Sequence, residues 1–302
     1  MNNSLTIESA GVWNRFKKRR VAFWSLCAML VTFLIVFTSS IWLNFKATSI
    51  GEMQFQPPSS MHLFGTDVHG RDVLSRVVQG TQMSILVGLA GALVSFGIGV
   101  TWGAFAGYMG GRIDAVMMRF VDILYSLPSI IFVVVLLTTM ESALNDFIRG
   151  KFLGLDDSTF RIAMLLLSLG SVSWLTMARI VRGQVLSLRS RPFVLASILT
   201  GASHFHVIRK HIIPNVLSVA IVYLTLTVPA VVLYESFLSF LGLGVQAPQA
   251  SLGSLLAEGA TQMNSVRTYW WLIVFPGVLL GGLLMGLSFV GDGLRDALEG
   301  RD

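Results

Sequence analysis

The sequence predicts an all-α membrane protein with six transmembrane helices, and its composition supports this fold class in three ways. Hydrophobic residues make up 54% of the 302 residues, and charged residues make up only 13%. A soluble domain carries roughly 25% charged residues, so this chain cannot cover a globule with ionic groups and lipid must solvate most of its surface. The chain also has 29 Gly against 8 Pro, and small residues let membrane helices pack closely.

Long stretches without charged residues mark the predicted spans, because a helix needs about 20 apolar residues to cross the hydrocarbon core of a bilayer. The predicted spans are residues 21–43, a helix within 77–111, a helix within 123–140 with an earlier start, residues 162 to about 180, residues 212 to about 241, and residues 268–291. Residues 242–254 are also uncharged, but they are rich in Gly, Pro, Ser and Gln and predict a loop.

The first uncharged stretch follows a basic run at residues 17–20, which is also typical of a signal peptide. Its 23 residues exceed the apolar region of a signal peptide, and no small-x-small cleavage site follows. We therefore expect a retained span.

Lys and Arg residues indicate the orientation of the spans. With a cytoplasmic N-terminus, 15 of the 22 Lys and Arg residues lie in inside segments, so the excess of positive charge places both ends in the cytoplasm. The predicted organisation is a cytoplasmic segment (1–20), a first span with an outer loop (21–76), a five-span core (77–292) with a basic cytoplasmic connection (182–215), and a cytoplasmic tail (293–302). Because the basic residues flank apolar runs, we interpret them as topology signals and not as a nucleic-acid surface.

Several polar groups raise catalytic or metal-binding hypotheses, which their spacing does not support. His204 and His206, with His211 nearby, could be offered as metal ligands, but two residues at i and i+2 point to different faces of a helix. The single cysteine, Cys27, allows no disulfide within one chain. No Gly-x4-Gly-Lys-Ser/Thr phosphate loop occurs. We therefore expect no catalytic residue, no metal site and no cofactor bound by this chain.

The segment 65–76 groups Asp67, His69, Arg71 and Asp72 beside a span. It holds no nucleophile with an oriented base, so we predict a capped, ion-paired turn before the second span.

Glu235 is the one acidic residue well inside a predicted apolar span, and it lies near the end of the fifth span. It marks either a proton or substrate path, or a helix-packing or outer-interface position, and we favour the second interpretation. Glycines at spacings of four predict close helix packing, within the chain or with a partner. These are Gly99, Gly103 and Gly107 in the second span, and Gly277 with Gly281 and Gly282 with Gly286 in the sixth.

Residues 182–215 are basic and partly amphipathic, and they predict a helical elbow outside the membrane. Gly201 permits a sharp turn between two short helices because it tolerates positive φ. Pro214 suits the first turn of the next span, where its missing N–H costs nothing. From these residues alone, a docking surface and a helix lying on lipid headgroups are equally supported.

The same segment resembles the coupling loop of binding-protein-dependent ABC permeases, whose pattern is Glu-Ala-Ala, three residues, Gly and a later Pro. Ala196, Gly201 and the string HIIPN match, whereas Leu195 and Ser197 stand at the Glu and second Ala positions. The strings FGTDVHGRDVLSRVVQGTQMSILVG, GGRIDAVMMRFVDILYSLP, WLTMARIVRGQVLSL, ESFLSFLGLGVQAP and GDGLRDALEGRD resemble the C-type permease subunit of oligopeptide and dipeptide importers. Only residues 1 to about 20 lack a counterpart.

This resemblance implies the type I ABC importer permease fold and a bacterial inner-membrane location. It implies a pore shared with a homologous B-type permease, two ATPase subunits that bind ATP and Mg²⁺, and an extracytoplasmic substrate-binding protein. The ATPase-coupling residues it implies are Ala196, Ser197, Gly201, Ala202, His211 and Pro214. The same architecture handles nickel chelates, glutathione and other small solutes, so these substrates remain alternatives to peptides.

An ion-gradient secondary transporter is a more distant alternative. That class would predict paired charges or broken helices in repeated halves, and the sequence shows Glu235 and no internal repeat.

Overall fold

The computed structural model describes residues 11–43, 47–148, 157–263 and 267–299. The regular structure within these ranges is helical, and an isolated bridge between Thr66 and Asp72 is the one β pairing among the described residues. The helices are α1 (residues 11–18), α2 (Arg20–Phe37), α3 (Ser39–Trp42), α4 (Val73–Met109), α5 (Gly111–Tyr125), α6 (Ser129–Ile148), α7 (Asp157–Leu188), α8 (Pro192–Leu199), α9 (His204–Val207), α10 (Ile213–Phe240), α11 (Leu252–Gln262) and α12 (Trp271–Glu299). The predicted all-α fold class is confirmed.

Five helical stretches in the described ranges are long and apolar enough to cross a membrane, so the protein is a multi-pass membrane protein. They are α2, α4, the Arg161–Leu188 part of α7, the continuous stretch His204–Phe240, and the Trp271–Leu298 part of α12. The predicted third span is not one straight helix, because α5 and α6 meet at an angle of 92°. Pro128 lies in the break, and a proline disfavours helix both at its own N–H and at the residue before it.

The chain divides into two compact units. The first comprises the described residues within Met1–Leu89, Asp156–Ile162 and Val228–Asp302, and the second comprises those within Ala90–Leu155 and Ala163–Thr227. In the second unit, the core joins α4, α7, α8 and α10 through buried aliphatic side chains such as Val181, Val194 and Ile212.

Two predicted connections are shorter than the sequence suggests. The stretch between the predicted third and fourth spans is helical at both ends, since α6 extends to Ile148 and α7 begins at Asp157. Residues 149–156 lie outside the described ranges. The predicted loop 242–254 ends early because α11 begins at Leu252. Ser251 and Ser254 form a reciprocal capping box there, with each hydroxyl accepting the backbone N–H of the other residue at 3.2 and 2.9 Å.

Candidate functional site

The predicted elbow is present as two short helices in the second unit. Helix α8 has Pro192 at its first position, and α9 is capped by Ser203, whose hydroxyl accepts the N–H of His206 at 3.3 Å. Gly201 lies between them with φ +82°. A Cβ on Gly201 would meet open space, so the backbone conformation and not a lack of room is what requires glycine here.

The helix that follows the elbow differs from the prediction. Pro214 lies in the first turn of α10, but α10 continues without interruption from α9 through a π-helical turn at Ile208–Ile212. The wider hydrogen bonding of a π turn accommodates a residue that has no N–H to donate. The elbow is therefore joined to the fifth span by one continuous helix and not by a flexible joint.

One side of the elbow is buried in the core of the second unit, and the other side exposes apolar side chains. Val194, Val207 and Ile212 are fully buried in the core of the second unit. On the outer side, Leu199 is 87% exposed and Phe205 is 73% exposed. We call the exposed apolar side chains of α8 and α9 the elbow tip; they are Phe193, Leu195, Ile198, Leu199 and Phe205.

Of the residues that the resemblance implied, four lie in or between α8 and α9, whereas His211 and Pro214 lie in the continuous helix that follows. Ala196, Gly201 and Pro214 are exposed, whereas Ser197, Ala202 and His211 are half-buried. The sequence prediction missed Leu199 and Phe205, although apolar side chains in a basic segment between spans are a signal for a contact surface. Exposed basic residues flank the tip at Arg189, Arg191, Arg209 and Lys210.

One hydrogen bond ties the elbow to the second span. The Tyr108 hydroxyl of α4 lies 3.0 Å from His204 Nδ1 of α9, and the two rings meet edge to face with centroids 5.7 Å apart. Among the described residues, no group of three or more His, Cys, Asp and Glu side chains could hold a metal ion. The contact that the structure gives His204 is with Tyr108 of α4.

The glycines of α4 let this helix approach α7 closely. A Cβ on Gly99 would lie 2.5 Å from Met177 Cβ, and one on Gly107 would lie 2.9 Å from the Arg182 carbonyl oxygen. A Cβ on Gly103 would meet the Ala178 carbonyl oxygen and lie 3.0 Å from Val181 Cβ. The backbones of α4 and α7 are thus in contact along two helical turns.

The glycines of α12 behave differently from those of α4. A Cβ on Gly277 would lie 3.6 Å from Leu256, and one on Gly281 or Gly282 would meet open space. A Cβ on Gly286 would lie 2.7 Å from Met29 Cε. A side chain at Gly281 would therefore start in open space among the described residues.

We expect Gly103→Leu to lower the thermal unfolding midpoint of the detergent-solubilised chain strongly, because overpacking a tight contact costs about 1–3 kcal/mol or more. Gly281→Leu is the matched control, since the same side chain enters open space on another span. Fluorescence-detected size-exclusion chromatography after heating measures both variants. An unchanged midpoint for Gly103→Leu would contradict the close approach of α4 and α7.

Two ion pairs hold α5 against α7. Arg182 binds Asp114 with both ends of its guanidinium, and the Nη2–Oδ2 distance is 2.7 Å. Arg179 Nη2 lies 2.7 Å from Asp122 Oδ1, and its guanidinium stacks 4.0 Å above the ring centre of Tyr125. Bidentate pairing fixes direction as well as distance, so these contacts set the position of the first arm of the broken span.

Glu235 lies at the centre of a buried polar cluster in the first unit and has no exposed surface. Its carboxylate accepts hydrogen bonds from the hydroxyls of Ser84 at 3.1 Å, Ser236 at 3.3 Å and Ser239 at 2.7 Å. We call these four residues the serine cluster. These contacts join α10 to Ser84 of α4, and the role of Glu235 stays a prediction.

The serine cluster also holds the loop that follows α10. The Ser239 hydroxyl accepts the N–H of Val245 at 3.1 Å, and the Ser84 hydroxyl accepts the N–H of Leu252 at 3.3 Å. A hydroxyl has one proton and two lone pairs, so each of these serines donates to Glu235 and still accepts from the backbone. Glu235 therefore orients the Ser84 and Ser239 hydroxyls, and these hydroxyls hold the backbone of the segment between α10 and α11.

The ion-paired turn predicted before α4 is confirmed. Asp67 Oδ2 lies 2.7 Å from Arg71 Nε and 2.9 Å from Arg76 Nη1, and Arg76 Nη2 lies 2.9 Å from Glu258 Oε1 of α11. Asp72 caps α4 by accepting the N–H and the hydroxyl of Ser75 at 2.9 and 2.8 Å. Every acid in this group has a structural partner.

Comparison with known proteins identifies the family. The profile of the "Binding-protein-dependent transport system inner membrane component" family matches residues 99–301. The oligopeptide transport system permease protein OppC of Haemophilus influenzae is 41% identical over 307 residues, covering 99% of this chain and 91% of the relative. The dipeptide transport system permease protein DppC of Bacillus subtilis is 40% identical, covering 95% of this chain and 84% of the relative.

Solved structures share the fold. A chain of the MetNI methionine ABC transporter in an inward-facing conformation aligns with a TM-score of 0.52 and 22% identity, covering 74% of this chain and 97% of that chain. The fold of an ABC importer permease is therefore confirmed. Since the family profile spans more than half of the sequence and the relatives align over nearly all of it, this chain belongs to the family of binding-protein-dependent transport system inner membrane components.

Proposed function

We propose that this chain is a permease subunit of an ATP-driven importer of oligopeptides or dipeptides. It forms the pore with a homologous permease, receives peptide from an extracytoplasmic binding protein, and is driven by two ATPase subunits. The names of the relatives support the peptide substrate, and the family description supports dependence on a binding protein. The observation that carries the coupling role is the elbow, with its buried anchor and its exposed apolar tip.

The elbow tip favours a protein partner over lipid headgroups. A helix that lies on headgroups has a polar face and an apolar face. The exposed side chains of α8, from Pro192 to Leu199, are almost all apolar, so the polar face is missing. A protein groove that surrounds α8 accommodates this arrangement, with the flanking basic residues contacting its acidic rim.

The protein lies in the inner membrane, and other subunits bind and hydrolyse ATP. The excess of Lys and Arg in the inside segments supports an inner-membrane protein with both termini, and the elbow, in the cytoplasm. The missing phosphate loop supports ATP and Mg²⁺ binding by the ATPase subunits and not by this chain. The elbow then transmits ATPase closure to the spans through the continuous helix His204–Phe240.

The purified chain is expected to have no ATPase activity, because a phosphate cradle needs closely spaced N–H groups from a Gly-rich turn and a Lys. With the ATPase subunits, the second permease and the binding protein added, we expect ATP hydrolysis. Its rate should rise when the binding protein carries peptide. Phosphate release and labelled-peptide uptake in proteoliposomes measure both. Hydrolysis by the partner-free chain that mutations in this chain remove would contradict the proposal.

A further inference from the structure

The basic segment before the first span has no role in the proposed transport cycle, yet the structure holds it in place. Phe16 of α1 is only 3% exposed and packs with Ala22 of α2 and Ala297 of α12. Gly293 leaves room for this packing, since a Cβ there would meet Ala22 and lie 3.1 Å from Phe16. Helix α1 is therefore docked on the end of α12, at the membrane surface where α2 begins.

The chain changes direction between α1 and α2. Arg19 has φ −81° and ψ 90°, which is not helical, so α1 is not the first turn of the span. The Arg19 guanidinium pairs with Asp296 of α12 at 2.7 Å. This pair occupies one acid near the end of α12, and Arg15 Nη1 also contacts α12, 3.5 Å from the Ala297 carbonyl oxygen.

The outer face of α1 combines an aromatic ring with cations. Trp13 is 45% exposed and stacks on Phe16 with ring centroids 5.8 Å apart, and Lys17 Nζ lies 5.1 Å from the Trp13 ring centre. Lys17, Lys18 and Arg20 are exposed. Among the described side chains of residues 11–20 and of the last turns of α12, the exposed acid is Asp292 and the exposed cations are Arg15, Lys17, Lys18 and Arg20, so exposed cations outnumber exposed acids there.

We propose that the exposed aromatic and basic residues of α1 and of the start of α2, namely Trp13, Lys17, Lys18 and Arg20, bind the headgroup of an anionic phospholipid. Because the span begins at Arg20, the three cations lie within about two helical turns of the hydrocarbon edge, at the depth of lipid phosphates. Trp prefers this interfacial depth, and the aliphatic stems of Lys and Arg let their charges reach the headgroups. The site does not depend on the proposed transport function, since it needs only that α2 spans the bilayer.

The test measures quenching of Trp13 by brominated lipid in nanodiscs that hold the full chain. The Trp13 signal is the difference between the wild-type chain and Trp13→Phe. We expect brominated phosphatidylglycerol to quench this signal more strongly than brominated phosphatidylethanolamine. Loss of each cation should weaken the preference about fivefold, so Lys17→Gln with Lys18→Gln should remove most of it.

The matched control is Arg112→Gln with Arg119→Gln, which removes two exposed basic residues from α5. This pair should leave the lipid preference of Trp13 unchanged. Equal quenching by the two lipids would overturn the proposal, and so would an equal loss of preference in the control pair. Because the readout is a preference between lipids measured in folded chain, a variant with lower yield still gives a result.

Discussion

Gly201→Val is expected to abolish ATP-driven peptide uptake while the permease still enters the membrane and binds its partner permease. Gly201 has φ +82°, and a β-branched residue in this region costs more than 1 kcal/mol of backbone strain. The turn would relax to negative φ, and α8 would leave the position that Val194 anchors in the core. The spans lie outside this turn, so insertion is preserved.

Gly201→Asn is the control, because Asn tolerates the left-handed region better than other side chains. It should retain most uptake, measured as labelled peptide accumulated in proteoliposomes at equal permease content. Leu199→Asp adds a variant without backbone strain, since this side chain is exposed, and it should release the ATPase subunits on size-exclusion chromatography. Normal uptake by Gly201→Val would contradict the coupling role of the elbow.

Glu235→Ala is expected to lower the free energy of unfolding by roughly 3 kcal/mol, because buried hydroxyls that lose their acceptor cost about 1–3 kcal/mol each. The Ser84, Ser236 and Ser239 hydroxyls all donate to this carboxylate. Glu235→Gln keeps one acceptor oxygen and should lose less. Thermal unfolding in detergent measures the stability, and reactivity of a cysteine at Gln246, in a Cys27→Ser background, reports the order of the loop.

Glu52→Ala is the matched control, since Glu52 is an exposed acid in the same unit. It should leave both the unfolding midpoint and the labelling rate of the loop unchanged. If Glu235→Ala were as stable as Glu52→Ala, the serine cluster would not position the loop. If stability fell without faster labelling, the cluster would stabilise the helices alone.

The features that the sequence predicts correctly have local signals. Helices α2, α4 and α12 follow from uncharged length alone, and the turn at Gly201 follows from the one residue that tolerates its backbone conformation. Helix α11 was missed because it has only 11 residues and a cap made by two serines, in a stretch whose Gly and Pro content indicates a loop.

The serine cluster could not be predicted, because it depends on contacts between distant positions. Ser84 and Glu235 are 151 residues apart, and a serine within an apolar helix has no pattern that marks it as a donor to one acid. The exposed apolar surface of the elbow was missed for a different reason. Leu199 and Phe205 resemble core residues by composition, and only the packing of Val194 and Val207 beneath them shows which side faces outward.

The right-angled corner between α5 and α6 limits what can surround it. The Ser126 hydroxyl and N–H bond to the Ile123 carbonyl, and the Leu127 N–H bonds to the Leu124 carbonyl, so the last turn of α5 is satisfied. The first N–H groups of α6, at Ser129 to Ile131, have no carbonyl partner within that helix, and Ser126 to Pro128 are exposed. Hydrocarbon cannot supply hydrogen-bond acceptors. These N–H groups therefore require water, a lipid headgroup or another stretch of polypeptide as their acceptor, and lipid tails cannot supply it.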